Sequence, residues 1–132
     1  MADVNRGNRP LSPFMIGQYY RPQITSISSI LTRITGISLI VGGLMVVWWL
    51  LAAATSPEHF AVADGVWTSP FGWLVQLGSV WALWYHTLAG ARHLYWDTGR
   101  GMEIETAEKL GWACVYGSVV LTVLTFALFL IF

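Results

Sequence analysis

Three long apolar stretches set the pattern of this chain. From Ile34 to Pro57 there is no Asp, Glu, Lys or Arg. From Val66 to Ala91 the ionisable side chains are Tyr85 and His86 alone. Leu110 to Phe132 carries no charge. A bilayer core about 30 Å thick needs roughly 20 apolar residues of helix to cross it. A buried helix of a soluble domain is rarely so long and so uniformly apolar. The pattern therefore predicts an all-α membrane protein of three transmembrane helices, spanning about residues 30–55, 67–95 and 109–131. Residues 1–24 are expected to form an N-terminal arm and residues 25–132 the three-helix domain. Pro10, Pro13 and Pro22 keep the arm irregular until about Thr25. Pro57 and Pro70 bracket a first loop, and Gly99 and Gly101 break a second. Gly36, Gly42, Gly43, Gly78, Ala82, Gly90 and Gly117 interrupt the apolar runs. Small residues of this kind let helix backbones approach closely in lipid.

Composition agrees. Hydrophobic residues make up 55% of the chain and charged residues 11%, against about 25% charged in an ordinary soluble domain. The net charge is zero, so no basic field exists to attract nucleic acid. The few charges fix a direction. Arg6, Arg9, Arg21 and Arg33 precede the first span, and Arg92, Arg100 and Lys109 flank the turn between the second and third. The loop Ser56 to Gly65 has neither Lys nor Arg. Positive residues stay on the cytoplasmic side, so the N-terminus is expected in the cytoplasm and the C-terminus in the periplasm. Trp67, Trp73, Tyr95, Trp96 and Trp112 fall near span ends, where amphipathic rings favour the interface. The first residues have no apolar signal core. No cleaved targeting segment is expected, and the first span acts as its own insertion signal. The single cysteine, Cys114, allows no internal disulfide and is expected to be a small core or lipid-facing residue.

Candidate chemistry is confined to two clusters. His86 is an ionisable group at membrane depth, which is costly and usually has a partner or cofactor. Imidazole is a common axial ligand of haem iron. Gly90, four residues on, shares its helical face and leaves room for a flat porphyrin. The plainer reading is a hydrogen bond from His86 to a neighbouring helix. His86 and His93 cannot clamp one haem between them, because seven residues of helix rise about 10.5 Å along one side. No other span contains a histidine. A haem with two histidine ligands would need the second from another chain. The second cluster is Ser29 and Arg33, four apart and on one face if the first helix starts before Ile30. A hydroxyl beside a guanidinium suits a quinone carbonyl or a haem propionate. Against that stands Arg33 as a simple topology anchor reaching for headgroups. The predicted topology puts Ser29, Arg33, His86, Arg92, His93 and Asp97 on one side of the membrane. His59 and Glu58 are expected to be solvated, as are Glu103, Glu105 and Glu108. No motif for nucleotide binding, metal hydrolysis or nucleophilic catalysis is present.

The run HTLAGARHLYWDTG, from His86 to Gly99, resembles a signature of the cytochrome b subunits of succinate dehydrogenase, respiratory complex II. SILTRITG, from Ser29 to Gly36, resembles that family's second signature, and RPLSP, from Arg9 to Pro13, resembles its N-terminal arm. The three matches fall in order across nearly the whole chain. The resemblance implies that His86 is the axial ligand of haem b, its iron the metal. It implies that Ser29 and Arg33 line the ubiquinone pocket. It implies that Arg92, His93 and Asp97 lie near the haem propionates and that pocket. It further implies a second membrane anchor subunit giving the other haem ligand, with iron–sulfur and flavoprotein subunits on the cytoplasmic face of a bacterial inner membrane. The chain would then hold no dehydrogenase active site of its own. A fumarate reductase anchor and a cofactor-free structural or assembly protein are the alternatives. The family usually has His-Arg where Thr32-Arg33 stands, and a histidine soon after the SP of the arm, where this chain reads SPFMIGQYY.

Overall fold

The structure, a computed structural model, describes Phe14 and residues 20–132. Arg6 and the run Arg9 to Pro13 lie outside the described residues. Four helices follow one another: α1 (Ile24–Thr55), α2 (Pro57–Trp67), α3 (Pro70–Asp97) and α4 (Ile104–Ile131). α1 starts six residues earlier than the span expected from residue 30, so Ser29 and Arg33 do lie on helix. The Ser26 hydroxyl accepts from the Gln23 backbone N–H at 3.1 Å at its start. Charge and hydroxyl content ended the apolar pattern there, but neither stops a helix.

The first loop is a correction. Ser56 to Gly65 reads as a loop in sequence, yet residues 57–67 form a helix of three turns. Pro57 and Pro70 each occupy the first position of a helix, where the missing N–H costs nothing. Ser56 and Ser69 cap them, accepting from the N–H groups of His59 (3.3 Å) and Gly72 (3.2 Å). α2 folds back on the end of α1. Trp49 Nε1 donates to Asp64 at 3.3 Å, and the Trp49 and Phe60 rings lie 5.4 Å apart. The second loop is as expected. Gly99 (φ 77°) and Gly101 (φ 72°) take the left-handed conformation that reverses the chain between α3 and α4. Trp96 Nε1 ties the turn shut by donating to the Gly101 carbonyl at 2.9 Å.

The interior is small and polar, and the outside is large and apolar. Ser28, Thr35, Gly42, Ala82, Ala89, Gly111, Cys114, Ser118 and Thr122 are buried between the long helices. Ile37, Leu44, Leu74 and Leu130 are 66%, 63%, 68% and 80% exposed. This inverts a soluble core and matches a bundle whose solvent is lipid. The buried hydroxyls spend their protons on their own helices: Ser28 on Thr25 O (3.0 Å), Thr35 on Leu31 O (2.7 Å) and Thr122 on Ser118 O (2.7 Å). α1 and α4 are each long and apolar enough to cross a membrane. α3 is as long as α4, at 28 residues, but carries Gln76, His86, Arg92 and His93. α3 runs between its neighbours. Gly42 of α1 faces Ser79, and Trp84 Nε1 donates to Thr125 of α4 at 2.9 Å. Where α1 and α4 begin and α3 ends, all three meet around Ile24, Arg92 and Gly111.

Candidate functional site

The site lies where α1 and α3 cross near the end that holds the glycine turn. His86 is half-buried on α3 with its imidazole laid against α1. Nδ1 stands 3.1 Å from the backbone carbonyl of Thr32. A carbonyl only accepts, so Nδ1 donates, and in the neutral ring the lone pair is then on Nε2. Nothing among the described residues hydrogen-bonds Nε2. Thr32 lies about two turns inside α1, and its own hydroxyl is turned back to Ser28 O at 2.8 Å. Gly36 lets the ring in: a Cβ there would sit 3.1 Å from His86 Cε1. A Cβ added at Gly90, one turn along α3, would meet nothing within 4 Å. The expected open space beside His86 is therefore present.

These features fit an axial haem ligand. A ligating imidazole needs one nitrogen unprotonated and the other donating to a fixed acceptor, and His86 has both. His86 would hold the iron through Nε2, with Gly90 giving the porphyrin its clearance. The plainer reading, that His86 hydrogen-bonds a neighbouring helix, holds. The two are compatible, because that bond uses only one ring nitrogen.

The other candidates divide into two groups. Arg92 is buried, at 5% exposed. Its Nη1 donates to the Ser28 hydroxyl at 3.1 Å, and its guanidinium lies 4.7 Å from the centroid of the Trp96 ring. Tyr85, fully buried beside it, donates its hydroxyl to the Ser28 carbonyl at 3.2 Å. Arg92 Nε has no partner, and no carboxylate among the described residues lies within ion-pair distance. Arg92 thus points between the helices of this chain. Ser29, Arg33, His93 and Asp97 are exposed. Ser29 and Arg33 form no hydrogen bond with any described residue. His93 turns its ring edge to Trp96, with centroids 5.2 Å apart. His86, His93 and Asp97 share one side of α3, and Arg92 faces another.

Sequence reasoning missed three contributors: Ser28, Thr35 and Gly36. Ser28 stands beside the chosen Ser29, and helical phase alone could have told them apart. Thr35 and Gly36 stand inside the run SILTRITG. The signal was a hydroxyl and a glycine one helical turn beyond Thr32, too common a pair to single out without the partner helix.

Known proteins share this chain's sequence. Residues 5–125 match the family described as succinate dehydrogenase/fumarate reductase transmembrane subunit. A succinate dehydrogenase cytochrome b556 subunit from Paracoccus denitrificans is 56% identical over 132 residues, covering all of both chains. One from Rickettsia conorii is 39% identical over 116 residues, 88% of this chain and 89% of the relative. A mitochondrial cytochrome b560 subunit of succinate dehydrogenase from Sus scrofa is 35% identical over 79% of this chain and 62% of the relative. An all-helical bundle faced with large apolar side chains agrees with these matches in fold: the chain belongs to the succinate dehydrogenase/fumarate reductase transmembrane subunit family.

Proposed function

We propose that this chain is the cytochrome b membrane anchor of a succinate:ubiquinone oxidoreductase. The names of its relatives, cytochrome b subunits of succinate dehydrogenase, favour that direction over fumarate reduction. Succinate oxidation belongs to a flavoprotein subunit, and electrons arrive through an iron–sulfur subunit, both on the cytoplasmic face. This chain has no dehydrogenase site of its own. Bound haem b supplies a one-electron redox centre within the membrane. His86 would hold the haem iron through Nε2. A second histidine ligand would come from a second anchor subunit, because His93 is displaced along the same helix side and His59 sits in α2 bonded to Ser56 at 2.9 Å. Arg33 and Ser29, uncommitted on the outer face of α1, donate to the ubiquinone carbonyl. His93 and Asp97 line the same side, toward the haem propionates. Arg92 adds its positive charge from behind them.

The membrane arrangement follows from charge. α1, α3 and α4 cross a bacterial cytoplasmic membrane as three spans of the domain 25–132, with the arm 1–24 inside and the C-terminus in the periplasm. α2 lies along the outer surface, its Glu58, His59 and Val62 exposed. The Glu58 carboxyl is held below its ordinary range by its own backbone N–H and the Ser56 hydroxyl, as suits a wet helix start. An impermeant thiol reagent should label Ala61→Cys in intact cells and leave Thr106→Cys untouched; the opposite pattern overturns the topology.

The observation that carries the functional reading is the Nδ1 contact with the Thr32 carbonyl, which leaves Nε2 free to bind iron. In the assembled complex, His86→Leu should abolish the low-spin haem spectrum, while His93→Leu should keep it. Survival of the spectrum in His86→Leu would show that another residue is the ligand. A purified wild-type complex without haem would end the cofactor reading.

A further inference from the structure

His86 meets more of α1 than one carbonyl. Thr35 Oγ1 lies 3.4 Å from Nδ1, the nitrogen that faces Thr32 O. The Thr35 side chain is buried, and its hydroxyl proton is already spent on backbone carbonyls, Leu31 O at 2.7 Å and Thr32 O at 3.1 Å. Thr35 Oγ1 therefore offers Nδ1 a lone pair and never a proton. Both oxygens around Nδ1 accept, so they select one tautomer and tolerate no other. Gly36 completes the arrangement from the next position. Its missing Cβ leaves Cε1, Nδ1 and Nε2 at 3.1, 3.6 and 3.9 Å from where that carbon would be. One face of the imidazole rests on bare backbone, and its Nδ1 edge is held by two oxygens.

We infer that Thr35 and Gly36 are positioning residues that fix the tautomer, the ring plane and the donor strength of the His86 ligand. The inference rests on the haem reading of His86 and concerns how this chain tunes that ligand. A hydrogen bond from Nδ1–H to an acceptor raises the basicity of Nε2. A more basic ligand stabilises ferric over ferrous iron and lowers the midpoint potential. Thr35 adds the second acceptor and orients the carbonyl turn that supplies the first. Gly36 sets the angle of the ring about the iron–nitrogen axis, since any side chain would tilt it. Because the slot belongs to α1, any shift of α1 along α3 reaches the iron through the ring. The helix that carries Ser29 and Arg33 is thereby coupled to the haem by direct contact.

The test uses the assembled complex, with redox titration of the haem and the electron paramagnetic resonance of its ferric form. Thr35→Val is nearly isosteric and removes the second acceptor. It should raise the midpoint potential while leaving a low-spin haem. Thr35→Ser keeps the oxygen and should restore the wild-type potential. Gly36→Ala should move the low-spin g-values, which report ligand-plane angles, and Gly36→Val should lose low-spin haem. Thr55→Val removes a back-bonded hydroxyl at the other end of α1, 2.7 Å from Leu51 O, and should change neither readout. Unchanged potential in Thr35→Val together with unchanged g-values in Gly36→Ala, with haem bound, overturns the inference and leaves the haem reading intact. A low-spin spectrum that survives His86→Leu overturns both.

Discussion

Ser28 and Ser29 are neighbours in sequence and belong to different halves of the molecule. Ser28 is 1% exposed and satisfied from three directions: it donates to Thr25, accepts from Arg92, and its carbonyl accepts from Tyr85. Ser29 is exposed, bonds nothing among the described residues, and shares its outward face with Arg33. The same division runs down α3, where Arg92 turns inward, His93 and Asp97 turn outward, and the half-buried His86 lies between, its Nδ1 on α1 and its Nε2 without a partner among the described residues. The inward set is satisfied within one chain except at Arg92 Nε. The outward set is a row of polar side chains without hydrogen-bond partners among the described residues. Polar groups at membrane depth are expensive unless partnered. A closed set therefore reads as architecture, and an open one as a site finished by something else.

The largest effect that could break this division is at Arg92. If it is architecture, Arg92→Ala removes a buried side chain, takes away the bond that the Ser28 hydroxyl accepts and opens space between three helices. Large-to-small losses in a packed core run to about 2–5 kcal/mol, and the yield and thermal stability of the complex should fall together. Haem per assembled complex and the KM for ubiquinone should stay near wild type. Normal stability with a large rise in KM would move Arg92 to the open set.

Arg33 is the counterpart on the open face. Arg33→Lys keeps the charge and loses the planar fork of donors. A hydrogen bond to a charged group contributes about 1.5–3 kcal/mol, so quinone reduction should drop by roughly tenfold or more. Succinate oxidation with an artificial acceptor and thermal stability should persist. Equal loss of both activities, or of neither, would return Arg33 to the role of headgroup anchor.

Much of this was legible before the structure. Length and apolarity mark α1 and α4, and the glycine pair marks the turn with its two left-handed residues. His86 stands out because one histidine at membrane depth demands a reason. α2 was hidden because SPEHFAVADG has the short polar composition of a loop. What makes it a helix is Ser56 and Pro57 at its start and Trp49, fifteen residues before Asp64, to fold against. The inward turn of Arg92 was hidden for a related reason. Beside His93 and Asp97 in sequence it reads as one more group of the pocket. Only the packing of α1 and α4 shows that its position on the helix turns it toward Ser28. Thr35 and Gly36 were invisible because their meaning lies in an imidazole fifty residues away.

The smallest effect discriminates best, because it compares adjacent serines. Ser28→Ala should destabilise the complex by about 1 kcal/mol, the usual worth of a buried hydrogen bond, and by somewhat more if Arg92 is left unpaired. Quinone kinetics should hardly change. Ser29→Ala should do the reverse. Stability should match wild type, and quinone reduction should fall by a few-fold, a milder copy of Arg33→Lys, since one hydroxyl is lost rather than a donor fork. A thermal melt and a quinone-reductase assay on the two variants give four numbers. The division predicts that the effects fall on one diagonal of that square. If Ser29→Ala lowers the melting point, a partner helix packs on that face and α1 is buried there by assembly. If Ser28→Ala slows quinone reduction at unchanged stability, the inner network reaches the pocket through the start of α1. The two sets would then be one continuous site.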